Sequence, residues 1–251
     1  MPLPSGDDAA LAFARQAARE AVIAAGEGCF GGPVHLNFPF DEPLKPNLQA
    51  EGLFETGRRS DVLPDLRAVS LPSYLDPVDA RRVLDLLRER RVVVLAGEGS
   101  VATLNEANAL LAWSDAFGYP VFADPLSGLR SVSDPLIIDN YDTVLAAPAD
   151  DLTPEVIIRF GRFPVSKRAT TFMAQANAVN IVVDPYETRD YNSATDLLLR
   201  CTPLDFSQSL LAGLRGVERE TMLNDRQRQF AYEWVRANDA AAARIDAVDA
   251  A

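Results

Sequence analysis

The sequence contains little cysteine and almost no histidine, and this narrows the chemistry that it can support. Its two cysteines, Cys29 and Cys201, lie far apart in a chain of 251 residues, and this spacing does not suggest a disulfide framework. We expect two reduced thiols in a cytoplasmic protein. A histidine-based metal site or a Ser-His-Asp triad could rest only on His35, the single histidine. Because His35 lies in an alternating, strand-like segment, we predict a structural ring and assign no metal.

Positive charge and long apolar runs are also scarce. The chain has 24 basic and 36 acidic residues, a net charge of −12. Such a surface repels phosphate backbones and anionic lipid, so we expect neither nucleic acid nor a membrane as a partner. No apolar run approaches the roughly 20 residues of a membrane helix. Asp7 and Asp8 stand where a secretion signal requires positive charge.

The first 90 residues combine two periodic segments with a long irregular one. Alanine and apolar residues at helical spacing predict a helix from Asp7 to Ala25, and alternation predicts a strand over Val34–Phe40. Residues 47–74 are rich in proline, glycine and charge, which is typical of a linker. Asp76 and Pro77 are typical of a helix start, and we predict a helix from there to Arg90.

From Arg91 onward, strand-like and helix-like segments alternate. The predicted strands are Arg91–Ala96, Pro120–Ala123, Glu155–Phe160, Ala178–Val183 and Asp196–Arg200, and the predicted helices are Thr103–Phe117, about Asp139–Ala146, Ser166–Ala176 and Pro203–Leu214. This order predicts an α/β fold with a doubly wound, mostly parallel Rossmann-like sheet flanked by helices. A polar helix follows Gly216, and its Phe230 and Trp234 have the spacing of packing anchors.

The turn after the first of these strands resembles a dinucleotide-binding turn. Its sequence, GEGSVA over Gly97–Ala102, has the Gly-x-Gly-x-x-Ala pattern between a strand and a helix, and Asp124 follows the next strand. However, Glu98 places a carboxylate where a pyrophosphate has to approach, and a negative charge there already complements the helix dipole. We favour a structural role, in which the glycines allow tight packing.

A second turn carries a concentration of positive charge. Arg159, Arg162, Lys167 and Arg168 fall within ten residues that contain no acid, and Ser166 is a candidate helix N-cap. One interpretation is a solvated basic edge that pairs with the many acids of the chain. The other is an anion site, where helix amides, helix dipole and basic side chains converge on a carboxylate. The spacing alone leaves both interpretations open.

Three aspartates follow strands or open helices and could be mistaken for catalytic groups. Asp124, Asp142 and Asp184 occupy such positions. Aspartates at strand ends commonly cap the following helix, and we predict that role for these three.

Four segments together resemble one enzyme family. They are GGPVHLNFPFDEPLKP (Gly31–Pro46), FADPLSGLRS (Phe122–Ser131), IIRFGRFPVSKR (Ile157–Arg168) and IVVDP (Ile181–Pro185). They are similar to the thiamine-diphosphate-dependent synthases of menaquinone biosynthesis, the 2-succinyl-5-enolpyruvyl-6-hydroxy-3-cyclohexene-1-carboxylate synthases (MenD family). The RFGRxPxSK pattern narrows the resemblance to this family among thiamine diphosphate enzymes. The similarity spans about residues 8–215, which is under half of a full-length family enzyme.

The resemblance implies a domain assignment. Family enzymes have a pyrimidine-binding domain, a central Rossmann-like domain and a diphosphate-binding domain. Residues 1–46 then correspond to the end of the first domain, 47–74 to a linker, 75–215 to the central domain and 216–251 to a helical connector toward the third. The other two domains are the implied partners, and a homodimer is a further possibility. The Gly-Asp-Gly motif that holds magnesium and the diphosphate is absent from this sequence.

The resemblance also implies a reaction and two substrate-binding residues. The parent enzyme decarboxylates 2-oxoglutarate on thiamine diphosphate and magnesium, and it adds the succinyl unit to isochorismate. We expect no cofactor and no catalysis in this chain alone. Basic residues at the positions of Lys167 and Arg168 help to hold substrate carboxylates in the family. We assign Arg159 and Arg162 to the same substrate site on the electrostatic argument alone.

Two other functional classes remain open from the sequence. One is a free-standing nucleotide-binding Rossmann protein such as an oxidoreductase. The carboxylate of Glu98, at the place where a pyrophosphate would bind, argues against this class. The other is a regulatory module whose basic turn senses a carboxylated metabolite, and the basic turn suits it as well as it suits the synthase.

Overall fold

The computed structural model of the chain describes residues 7–26, 32–40, 42, 74–186, 190, 192–214 and 224–249. The chain divides into two compact units, residues 1–71 and 72–251. Cys29 and all of the predicted linker except Tyr74 lie outside the described residues. The domain assignment by resemblance therefore stays a prediction.

The first unit contains one helix, α1 (Asp8–Gly26), among its described residues. It begins as predicted, with the Asp7 carboxylate accepting a hydrogen bond of 2.8 Å from the amide of Ala10. The predicted strand over Val34–Phe40 is wrong, because residues 32–40 have no strand structure and are all exposed, including His35. Alternation alone does not make a strand, since a strand requires a neighbour that pairs with its backbone amides and carbonyls.

The second unit is built on a six-stranded sheet. Its strands are β1 (Val92–Ala96), β2 (Val121–Ala123), β3 (Ile137–Ile138), β4 (Val156–Phe160), β5 (Val179–Val183) and β6 (Thr195–Leu199). The strand order is β3-β2-β1-β4-β5-β6, and every neighbouring pair is parallel. This order reverses between β1 and β4, as in doubly wound nucleotide-binding folds. The predicted fold class is confirmed.

Six described helices complete the second unit. They are α2 (Pro77–Leu87), α3 (Leu104–Phe117), α4 (Tyr141–Val144), α5 (Lys167–Gln175), α6 (Pro203–Gly213) and α7 (Asp225–Asp249), with short 3₁₀ turns at Leu129–Ser131 and Asp150–Leu152. Asp76 caps α2 as predicted, and Thr103 with Glu106 forms a capping box at α3. No helix among the described residues is long and apolar enough to span a membrane.

The sheet is covered on both faces, which explains the apolar strand sequences. Alternate residues of β1 point to opposite faces, so Val92 and Val94 pack with α2, α3 and α6, whereas Val93 and Leu95 pack with α4, α5 and α7. All of these strand side chains are buried. A strand that is buried on both faces has no polar side to expose, and a continuous run of valine and leucine meets this requirement.

The terminal helix α7 belongs to the core of this unit. The indole of Trp234 is fully buried, with its ring centre 4.6 Å from that of Phe122. The side chain of Gln227 accepts a hydrogen bond of 2.9 Å from the amide of Val92 and donates one of 2.6 Å to the carbonyl of Gly118. Phe230 is buried as well, so both predicted packing anchors are confirmed. The connector role of residues 216–251 stays a prediction.

Replacing Trp234 by alanine is expected to destabilise the chain by about 3–5 kcal/mol, because the substitution leaves a large cavity between α7 and the sheet. The Tyr232→Ala variant is the matched control, since Tyr232 lies in the same helix with 59% of its surface exposed. It should change stability by no more than about 0.5 kcal/mol. Urea unfolding followed by tryptophan-independent far-ultraviolet circular dichroism measures both. Equal effects of the two substitutions would contradict the packing of α7 on the sheet.

Candidate functional site

The loops that follow β1 and β4 meet at the point where the strand order reverses. The amide of Gly97 donates a hydrogen bond of 2.9 Å to the carbonyl of Phe160, and the amide of Arg162 donates one of 3.0 Å to the carbonyl of Glu98. The buried hydroxyl of Ser100 donates to the carbonyls of both Gly97 and Phe160, at 2.7 and 2.9 Å. The crevice in which doubly wound folds bind nucleotides is therefore bridged by backbone hydrogen bonds.

Two glycines make this close approach possible. A Cβ atom on Gly97 would lie 1.8 Å from the carbonyl oxygen of Arg162. Gly161 has a φ of +68°, and a Cβ atom there would lie 2.4 Å from the carbonyl oxygen of Glu98. Gly97, the first glycine of the GEGSVA turn, thus allows close packing. The backbone that it approaches belongs to the end of β4 and the loop after it.

Glu98 and Arg162 form an ion pair across these two loops. The carboxylate oxygen and the guanidinium nitrogen are 3.0 Å apart, and both side chains are about half exposed. Glu98 is therefore held by a cation of its own chain. Arg162, which we predicted to be a substrate ligand, faces this carboxylate.

Arg159 points into the interior of the unit. Only 2% of its surface is exposed, and one guanidinium nitrogen donates a hydrogen bond to the carbonyl of Gly161. Its guanidinium carbon lies 4.5 Å from the centre of the Phe163 ring. The cavity beside it, which Asp190 and Thr195 also line, has a volume of about 10 Å³. The structure does not bring Arg159 together with Lys167 and Arg168.

The start of α5 presents the other two predicted site residues. Ser166 is its N-cap as predicted, because the hydroxyl accepts a hydrogen bond of 3.0 Å from the amide of Ala169. The same hydroxyl donates to the carboxylate of Asp142, in the first turn of α4. The second oxygen of that carboxylate lies 2.6 Å from a guanidinium nitrogen of Arg168. Asp142 therefore contacts both the cap and the first turn of α5.

A cavity of about 590 Å³ opens between α4 and α5. Its lining combines apolar, polar and charged side chains, and it consists of Asp142, Leu145, Ala146, Pro148, Lys167, Arg168, Thr171, Phe172 and Gln175. Within the described part of the chain, the exposed ammonium of Lys167 has no ion-pair partner. This volume is within the range of small-molecule sites, and the lining suits a ligand that combines an acidic group with an apolar body.

A buried carboxylate holds the loop that leads to Lys167. Asp124 is 1% exposed and accepts hydrogen bonds from the amides of Leu126 and Val165, at 3.0 and 2.9 Å, and from the Tyr141 hydroxyl at 3.2 Å. Burial, followed by the charge and the hydrogen bond of Asp124, raises the pKa of Tyr141. Tyr141 therefore stays a neutral donor. Asp124 links β2, α4 and the loop before α5.

The prediction that the three aspartates cap helices is wrong. Asp124 and Asp184 each accept a hydrogen bond from the amide two residues further on, at 3.0 and 2.7 Å, which closes a turn directly after the strand. Asp142 lies inside the first turn of α4 and binds side chains of α5 instead. The sequence did not indicate this contact, because the partners are separated by 26 residues and meet only through the fold.

The described residues contain no group of three His, Cys, Asp or Glu side chains that could hold a metal ion. Cys201 is buried, and burial, with a smaller contribution from Asp205, raises the pKa of its thiol to about 12. A thiol in this environment is a weak nucleophile at neutral pH, so its role is packing. The cavity between α4 and α5, with Lys167 and Arg168 in its lining, is the candidate site.

Comparison with known proteins identifies relatives of the chain. The sequence model of the family described as the middle domain of thiamine pyrophosphate enzymes matches residues 72–209. A 2-succinyl-5-enolpyruvyl-6-hydroxy-3-cyclohexene-1-carboxylate synthase of Bacillus cytotoxicus is 33% identical over 247 residues, which are 95% of this chain and 40% of that protein. The synthase of the same name from Listeria welshimeri is 36% identical over 190 residues, 74% of this chain and 32% of that protein. The chain thus spans 40% or less of these curated relatives.

Replacing Gly97 by alanine is expected to cost about 3 kcal/mol or more, because the added methyl group collides with backbone that cannot move independently. The Gly32→Ala variant is the control, since a Cβ atom at Gly32 would meet nothing within 4 Å. It should change the free energy of unfolding by about 0.5 kcal/mol or less. Chemical denaturation of both variants provides the measurement. Wild-type stability of Gly97→Ala would show that the two loops are not in contact.

Proposed function

Because the chain belongs to the family of middle domains of thiamine pyrophosphate enzymes, we propose that it is the middle domain of a 2-succinyl-5-enolpyruvyl-6-hydroxy-3-cyclohexene-1-carboxylate synthase in menaquinone biosynthesis. The name comes from the relatives, which are similar to this chain over 74–95% of its length. The observation that carries the proposal is the pair of adjacent cations, Lys167 and Arg168, at the start of α5 beside an open cavity. The resemblance implies substrate carboxylates at these two positions.

In the proposed reaction, this chain and the two other domains have different tasks: the other domains bind the cofactor, and this chain binds a substrate. Thiamine diphosphate, when bound, supplies the electron sink for decarboxylation of 2-oxoglutarate and transfer of the succinyl unit to isochorismate. The Gly-Asp-Gly motif, to which the resemblance assigns the magnesium ion and the diphosphate, is absent from this sequence. We therefore assign the cofactor to the pyrimidine- and diphosphate-binding domains. This chain would then be inactive alone, and its part is to hold a substrate carboxylate.

The electrostatics of α5 support the binding of a substrate carboxylate by this chain. Lys167 and Arg168 occupy the first turn of the helix, where free backbone amides and the positive end of the dipole already favour an anion. In a chain of net charge −12, two adjacent cations at a helix N-terminus stand out from the overall field. The site also lies beyond the carboxyl end of β4, where parallel sheets of this kind bind ligands.

The structure favours this function over a nucleotide-binding one. A nucleotide needs space for a pyrophosphate at the first turn, where Gly97 instead approaches the carbonyl of Arg162. Glu98 would repel the phosphates, and its pairing with Arg162 keeps it at that turn. A regulatory module that senses a carboxylated metabolite would use the same cavity. Replacing Lys167 and Arg168 would then leave substrate turnover unchanged, whereas in a synthase domain it would lower turnover.

We expect the purified chain to bind isochorismate weakly, since the rest of the active site would lie in other domains. Lys167→Ala and Arg168→Ala should each weaken this binding about tenfold or more, the effect of one lost charged hydrogen bond. Arg82→Ala is the control: Arg82 is an exposed cation of α2, on the opposite face of the sheet. Titration followed by amide chemical shifts in NMR spectra measures all four chains. Unchanged isochorismate affinity in both variants would show that Lys167 and Arg168 are solvent-exposed cations that do not bind this ligand.

A second measurement separates the synthase from a regulatory module. In a full-length synthase containing this domain, the same two substitutions should raise KM for isochorismate while leaving thiamine diphosphate affinity unchanged. Unchanged kinetic constants, with binding to the isolated domain still lost, would favour the regulatory module.

A further inference from the structure

Asp142 contacts one end of the Arg168 guanidinium and leaves another edge of it open. The nitrogen Nη1 of Arg168 lies 2.6 Å from the carboxylate oxygen Oδ2 of Asp142 and also donates a hydrogen bond of 3.3 Å to the backbone carbonyl of Asp142. The Nε and Nη2 groups of Arg168 donate no hydrogen bond to any of the described residues. Together they form a flat edge that can bind both oxygens of one carboxylate.

Asp142 is held in place from two sides. Its oxygen Oδ1 accepts a hydrogen bond from the hydroxyl of Ser166, the N-cap of α5. The preceding residue, Tyr141, is 1% exposed, and its ring stacks on that of Phe122 with 5.3 Å between the ring centres. The carboxylate is thus attached to the core of the unit, whereas the side chain of Arg168 is 53% exposed.

An exposed arginine side chain has many rotamers, and a ligand that binds it has to immobilise it. The contact with Asp142 restricts Arg168 before a ligand binds, which strengthens binding. The same carboxylate repels an anionic ligand, which weakens binding. Because both side chains are about half exposed, water and salt screen this repulsion. The two effects of Asp142 on ligand affinity therefore differ in sign, and an experiment can separate them.

We infer that Asp142 is a positioning residue: it holds Nη1 of Arg168 so that the Nε–Nη2 edge receives one carboxylate of the substrate in the cavity between α4 and α5. This inference rests on the proposed function, because it requires that Lys167 and Arg168 bind a substrate carboxylate. All three residues line the same cavity. The role requires an arginine at position 168, since the ammonium of a lysine is a point charge without a fixed edge.

The first test compares two substitutions of Asp142. We expect Asp142→Ala to bind isochorismate about threefold to tenfold more weakly than the wild-type chain, because binding must then immobilise one more flexible side chain. Loss of charge repulsion alone would instead strengthen binding. Asp142→Asn retains an oxygen that accepts a hydrogen bond from Arg168, and it should bind within about twofold of the wild type. NMR titration at about 0.15 M salt, where exposed charges are screened, measures the affinities.

The second test separates positioning of Arg168 from a general effect on the fold. Arg168→Lys keeps the charge and lacks the planar fork, so adding Asp142→Ala to it should change isochorismate affinity by less than about twofold. In the ligand-free chain, the NMR order parameter of the Arg168 Nε–H group should fall in Asp142→Ala. An equal loss of affinity in both backgrounds, or an unchanged order parameter, would contradict the inference.

Asp85→Ala is the matched control. The side chain of Asp85 is 53% exposed, pairs with Arg81 and Arg88, and lies in α2 on the other face of the sheet. Its replacement removes the same charge from the chain and should leave isochorismate affinity unchanged. A loss equal to that of Asp142→Ala would assign the effect to net charge and overturn the inference.

The remaining outcomes distinguish this inference from the proposed function. Unchanged or tighter isochorismate binding by Asp142→Ala, with wild-type binding still dependent on Lys167, overturns the inference alone and leaves the proposed function standing. Wild-type binding that depends on neither Lys167 nor Arg168 overturns both.

Discussion

The close contact between the loops after β1 and β4 is the constraint on which the site depends. It requires a glycine at position 97, because a side chain there would occupy the space of the Arg162 carbonyl. The hydrogen bonds that follow join the two loops, from the Gly97 amide to Phe160 and from the Arg162 amide to Glu98. The chain after β4 continues to α5, whose first turn places Lys167 and Arg168 in the lining of the cavity between α4 and α5.

Side-chain hydrogen bonds as well as packing attach the helices α4, α5 and α7 to the sheet. The face covered by α2, α3 and α6 is filled by aromatic rings, among them Trp113, whose centre lies 5.2 Å from that of Phe206. On the other face, Asp124, Asp142 and Gln227 attach α4, α5 and α7 through hydrogen bonds to loops and strand ends. Close packing fixes a structure by shape, whereas buried carboxylates fix it by specific partners. The hydrogen bonds of Asp124 and Asp142 lie on the face of the sheet that carries the candidate site.

Much of the fold could be predicted from the sequence, because strands buried on both faces have a simple apolar pattern. Five predicted strands agree with the structure to within one residue at each end, as in the predicted Glu155–Phe160 and the observed Val156–Phe160. Strand β3 was missed, since two residues are too short for a periodic signal. The candidate site was predicted less well. The acids that face Arg162 and Arg168 lie 64 and 26 residues away in the sequence, so their pairing follows only from strand order and helix position.

The pairing of Glu98 with Arg162 explains why a nucleotide-type scaffold can carry a site for a different ligand. In doubly wound folds that bind dinucleotides, the first turn leaves its amides and the helix dipole free for a pyrophosphate. Here the first turn presents an acid instead, and the neighbouring loop supplies the cation that neutralises it. The two charges cancel where the nucleotide would lie. The other two cations, Lys167 and Arg168, lie at the start of α5, and Asp142 pairs with Arg168 there. In the proposed function, a small acid binds at the second turn, and no diphosphate binds at the first.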